Sequence, residues 1–174
     1  GGCRFILNDH VVRALGERDI AVFGTLNPQT LPEGDTPAPT WVHPEDMAAW
    51  LQFVEAVVER YDGDGIDDMP GLAVPAYGWE VANEPFCNPS EQDCRDAYLD
   101  LGWRSWHAAK GADPDVHLSL ASAAPVLQPA DGSSFPPART LYEGYLQAYQ
   151  DRGEVFTHAT VFHTLVGFSP PAVE

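Results

Sequence analysis

The most chemically loaded stretch of the 174-residue chain is Tyr77-Gly78-Trp79-Glu80-Val81-Ala82-Asn83-Glu84-Pro85. It sets a carboxyl (Glu84) beside a primary amide (Asn83), immediately before a proline. A carboxyl half-buried among aromatic side chains keeps its proton to higher pH, so Glu84 is suited to act as a general acid near neutrality. The amide of Asn83 can donate a hydrogen bond to a ligand hydroxyl or to a second carboxylate. Pro85, with no N–H for a ladder, should end a strand and turn the chain into a loop. Three such residues also occur at ordinary strand ends with the glutamate solvated, so the surrounding elements matter.

Other groups are weaker. Asp62, Asp64, Asp67 and Asp68, interleaved with Gly63 and Gly65, form an oxygen-rich turn of the kind that suits a structural Ca2+. An EF-hand would need a glutamate at loop position twelve, and that position is Ala73. A solvated acidic turn is the simpler reading. Cys87 and Cys94 can close a small disulfide loop or stand as two thiols, leaving Cys3 unpaired; no second pair or nearby histidine offers a zinc pattern. His107 and His117 read as surface or helix residues, and Ser122 lacks nucleophile-elbow glycines.

These groups must be positioned by alternating segments. Val11 to Arg18 has helical spacing, and Ile20 to Leu26 is an apolar run suited to a strand buried on both faces. After a Pro-rich loop, His43-Pro44-Glu45-Asp46 opens a helix with acids at its positive end. That helix runs to about Tyr61, with Trp50, Phe53, Val54, Val57 and Val58 on one stripe. Tyr77 to Asn83 reads as a strand with Tyr77 and Trp79 in its core. A helix follows from about Glu91 to Lys110, softly broken at Gly102, with Trp103 and Trp106 on its core side. Val116 to Ser122 alternates like a strand, Arg139 to Asp151 reads as a helix, and Thr160 to His163 as a last strand. This order predicts an α/β fold with parallel strands and helical crossovers. The closure is either a doubly wound sheet or a (β/α)8 barrel. Gly24-Thr25-Leu26-Asn27-Pro28 has no glycine-rich phosphate cradle, which weakens the dinucleotide-binding version.

Composition narrows the partners. With 26 acidic and 9 basic residues the net charge is −17, against nucleic acid or an anionic membrane surface as a partner. No apolar run approaches the ~18 residues of a membrane helix. Hydrophobic residues make up 44% and five are Trp, enough for one folded domain over residues 1–174. Gly1-Gly2-Cys3-Arg4 has no leader pattern, and the chain reads as cut at both ends. A Cys87–Cys94 disulfide would point to an extracellular or periplasmic setting.

The stretch Trp79 to Pro85 resembles the fourth-strand signature of the clan A glycoside hydrolases, retaining (β/α)8 enzymes, and is most similar to families thirty-nine and five. Asp19 to Leu26 resembles their third strand. Trp50 through Tyr61 resembles the helix after it, Ala109 to Pro114 the helix end before strand five, and Val161-Phe162-His163 the sixth strand. The resemblance implies a partial barrel of strands three to six, truncated at both ends. It implies an O-glycosidase acting on β-linked sugars or polysaccharide, with Glu84 as acid/base and Asn83 binding the sugar and orienting a nucleophile that lies beyond Glu174. His163 would contact the sugar or a carboxylate. Asn27 and Trp41, in loops that border such a cleft, are further substrate candidates, Trp41 by stacking on a sugar ring. Two positions depart from the pattern: Leu165 stands where an aromatic is usual, and Ala82 where relatives often carry Gly or Trp. Glu80 sits ~13 Å along the strand from Glu84, too far to serve as its partner, and is expected to be a hydrogen-bonded structural carboxylate. No cofactor is implied, with Ca2+ at the aspartate run the sole candidate. The competing readings are a non-catalytic carbohydrate-binding barrel and a calcium-stabilised structural module. The sequence does not specify an oligomeric state.

Overall fold

The computed structural model describes residues 5–28, 44–83, 92–120, 136–157 and 159–160. Four helices and four strands alternate: α1 (Ile6–Gly16), β1 (Phe23–Leu26), α2 (Met47–Tyr61), β2 (Gly78–Val81), α3 (Gln92–Ala112), β3 (Leu118–Leu120), α4 (Pro136–Arg152) and β4 (Ala159–Thr160). The strands form one parallel sheet in the order β1-β2-β3-β4. The α/β class with helical crossovers is therefore as expected.

The register aligns Thr25, Glu80, Ser119 and Ala159 in one row, and Leu26, Val81, Leu120 and Thr160 in the next. Alternation then gives the sheet two faces. Trp79, Val81, Leu118 and Leu120 lie on the helix side and are buried. The Tyr61 ring at the end of α2 packs 6.0 Å from that of Trp79. On α2, Trp50 donates from Nε1 to Ser105 Oγ of α3 at 2.9 Å. The rings of Tyr98 on α3 and Tyr145 on α4 are 6.4 Å apart. Helices α2, α3 and α4 thus stand side by side, in the same order as the strands. Each fully buried Leu or Val here is worth about 1.5–3 kcal/mol.

Local signals explain the helix ends. Asp46 caps α2, its Oδ1 accepting from the Ala49 N–H at 3.0 Å; the helix begins at Met47, so Pro44 and Glu45 precede it rather than forming its first turn. Such a cap contributes ~1 kcal/mol. Helix α3 runs unbroken through Gly102, contrary to the expected soft break. A Cβ at Gly102 would meet Leu120 Cδ2 at 2.5 Å, so the missing side chain lets α3 settle onto β3. That contact offsets the ~1 kcal/mol helix cost of glycine.

Two core expectations are corrected. Only Phe23–Leu26 of the Ile20–Leu26 run form a strand, and Phe23 is 45% exposed, because among the described residues helices cover one face of β1. Tyr77 precedes β2 and is 62% exposed, with its ring stacked on His117 at 5.2 Å, at the rim where helix cover ends. Trp79 and Trp106 are buried, Trp103 is partly buried, and His107 and His117 are exposed.

Candidate functional site

All four strands point the same way, so their C-terminal ends share one edge. Leu26 leads there into Asn27, and Val81 into Ala82 and Asn83. Asn27 is half-buried, and its Oδ1 is a buried acceptor that no donor reaches among the described residues. Leaving such an oxygen unmatched costs about 1–3 kcal/mol. Asn83 is also half-buried. Between them, the Ala82 N–H donates to the Leu26 carbonyl at 2.8 Å, tying the two strand ends together.

Ala82 is fully buried and left-handed, with φ +61°. A non-glycine residue pays a steric penalty in that region. The regular alternation of β2 stops there. Above the edge, Tyr98 of α3 donates its hydroxyl to the Val81 carbonyl at 2.9 Å, from a fully buried side chain.

One row below, Thr25, Glu80 and Ser119 form a polar band across three strands. Glu80 is 5% exposed and its Oε2 accepts from Thr25 Oγ1 at 3.4 Å. Of the structural carboxylate expected there, the burial and one long hydrogen bond are observed. Sequence reasoning passed over Ser119 and Tyr98. The alternation in Leu118-Ser119-Leu120 offered a signal for Ser119, whereas nothing in the sequence singles out Tyr98.

The remaining candidates separate clearly. Glu84, Trp41, His163 and Cys87 lie outside the described residues. Cys94, near the start of α3, is disulfide-bonded. The aspartate run does not form one ligand loop. Asp68 is engaged by the turn itself, accepting from Gly63 N at 3.0 Å and Gly65 N at 2.9 Å, while Asp67 is exposed. The carboxylates that converge, within 4.8 Å of one another, are Glu59, Asp62 and Asp64. They can hold a metal ion, although exposed acidic groups commonly converge without one. Burial, helped by the charges of Asp64 and Glu59 and opposed by the Asp64 amide, pushes the Asp62 carboxyl up to about 6.

No family model, curated protein or solved structure matches the chain. No helix among the described residues is long and apolar enough to cross a membrane.

Proposed function

We propose that the chain carries the acid/base half of a retaining O-glycoside hydrolase acting on β-linked sugars, within a (β/α)8 barrel. The observation that carries the reading is the sequential strand order with α2, α3 and α4 aligned along one face. Doubly wound sheets reverse their strand order at a switch point, whereas a barrel advances one βα unit at a time. In barrels, chemistry gathers at the C-terminal edge, the edge that holds Asn27 and Asn83.

In this reading Glu84 protonates the glycosidic oxygen as the bond to the anomeric carbon breaks. A second carboxylate, from beyond Glu174 and about 5 Å away, takes that carbon as a covalent ester. Glu84, now ionised, then takes a proton from the water that displaces the ester, which restores both groups. Asn83 and Asn27 meet sugar hydroxyls, the unmatched Asn27 oxygen suiting an O–H donor. Trp41 and His163 complete the sugar contacts.

The test is leaving-group dependence in a chain extended past Glu174. Glu84→Gln should lose about 10²–10⁴-fold in kcat on alkyl β-glycosides and far less on activated aryl β-glycosides, which depart without a proton. Equal losses on both would remove Glu84 from the acid role.

A further inference from the structure

We infer that Asn27 is the residue with which the C-terminal edge of the sheet selects its ligand, its side-chain oxygen accepting a hydrogen bond from one hydroxyl of a neutral sugar; the inference rests on the reading of that edge as a sugar site given above. Asn27 directly follows β1, and its Oδ1 is buried with no donor reaching it among the described residues. Folding takes this oxygen out of bulk water without supplying a partner from those residues. Buried acceptors in that condition are few in folded proteins, and each calls for an explanation.

The surrounding chain explains why the oxygen goes unmatched. Its neighbour Pro28 is buried and has no N–H to donate. Donors at adjoining positions are directed elsewhere. The Ala82 N–H goes to the Leu26 carbonyl at 2.8 Å, the Tyr98 hydroxyl to the Val81 carbonyl at 2.9 Å, and the Thr25 hydroxyl to Glu80 Oε2 at 3.4 Å. These groups bind the strand ends to one another and to α3. The Asn27 oxygen takes no part in that bonding.

Position and charge decide what kind of donor it suits. In both parallel closures, doubly wound and barrel, ligands meet the C-terminal ends of the strands. An amide oxygen is neutral, so it does not offset the cost of stripping water from an ammonium or guanidinium group. A hydroxyl costs far less to desolvate, and the bond to Asn27 compensates for it. Selectivity follows from the same asymmetry. A sugar that brings the hydroxyl satisfies the oxygen, whereas an analogue without it leaves a dry acceptor unpaired. Asn27 therefore discriminates between sugars that differ at a single position.

The test is sugar binding to the chain, followed by calorimetry and NMR. The probes are the methyl β-glycosides of glucose, xylose, mannose and galactose, with their monodeoxy analogues. One glycoside should bind the wild-type chain about 5–150-fold more tightly than the analogue that lacks one of its hydroxyls. The side-chain carbonyl carbon signal of Asn27 should move with that glycoside and stay in place with the analogue. Asn27→Leu keeps much the same volume and removes the acceptor, so it should bind the two alike. A folded Asn27→Leu chain that kept the wild-type preference would overturn the inference. If the variant does not fold, the wild-type carbon signal decides: one that no glycoside in the panel moves would equally overturn it. Binding is read without turnover, so a chain that binds through Asn27 and hydrolyses nothing would sink the hydrolase reading alone. A chain that hydrolyses these glycosides with the same preferences after Asn27→Leu would sink this inference alone.

Discussion

Asp9 joins α1 to α2 through three bonds: Arg60 Nη2 at 2.6 Å, Arg60 Nε at 2.9 Å and the Tyr61 hydroxyl at 2.9 Å. The Arg60 hydrogen bond, ahead of the opposing effect of burial, holds its carboxyl below the ordinary 3.8. A lowered folded value means the stabilisation is complete above the unfolded value and fades as pH falls through the folded one. Asp9→Asn should therefore cost about 1–2 kcal/mol at pH 7, and the gap to wild type should close on approach to pH 2–3, measured by urea melts. Asp62 has the opposite sign. Its folded carboxyl, at about 6, binds a proton more tightly than the unfolded one, so above pH 6 its charge works against the fold. Asp62→Asn should raise Tm at pH 7.5, and the gain should shrink as pH falls through 6 and vanish near pH 2–3, below the ordinary 3.8, where the acid is neutral in both states. A gain that persisted at pH 2–3 would contradict the burial argument.

Where strands meet helices, spacing decides what is tolerated. A Cβ at Gly24 would come within 2.3 Å of the buried Trp79 ring, a rigid body with little room to retreat. Gly24→Ala should destabilise by about 1–3 kcal/mol, read as a lowered denaturation midpoint with unchanged slope. Much of this level was legible in the sequence. The stripe of Trp50, Val54, Val57 and Val58 fixes the buried face of α2, and Asp46 marks its start, because three-to-four spacing and capping are local rules. What was hidden depends on neighbours far along the chain. Tyr77 follows strand periodicity, yet it lies past the end of the helix cover. Glu59 belongs to a helix in sequence, but the turn at Gly63 and Gly65 folds Asp62 and Asp64 back against it, so the converging acids are not the run of four aspartates. Val-Ala-Asn gives no hint of a left-handed alanine, a conformation that alanine does not favour.

The molecule as a whole carries its −17 charge mainly at the surface, where like charges repel. Added NaCl, from about 0.02 to 0.5 M, shortens the screening length from roughly 20 Å to about 4 Å and should raise Tm by several degrees. A Tm that fell with salt would indicate that attractive pairs such as Arg60–Asp9 and Arg104–Asp100 outweigh the net repulsion. The fold class could be read from the alternation of segments, but strand order could not, because both parallel closures share that alternation.

That strand order bears on how the protein is made. Among the described residues, β2, β3 and β4 each pair with the strand synthesised just before: Glu80 finds Thr25 waiting, Ser119 finds Glu80, and Ala159 finds Ser119. None of these described strands has to hold a gap open for a later arrival. Growth on the ribosome can therefore proceed as vectorial docking, one βα unit after another, with the growing edge advancing from β1 toward β4.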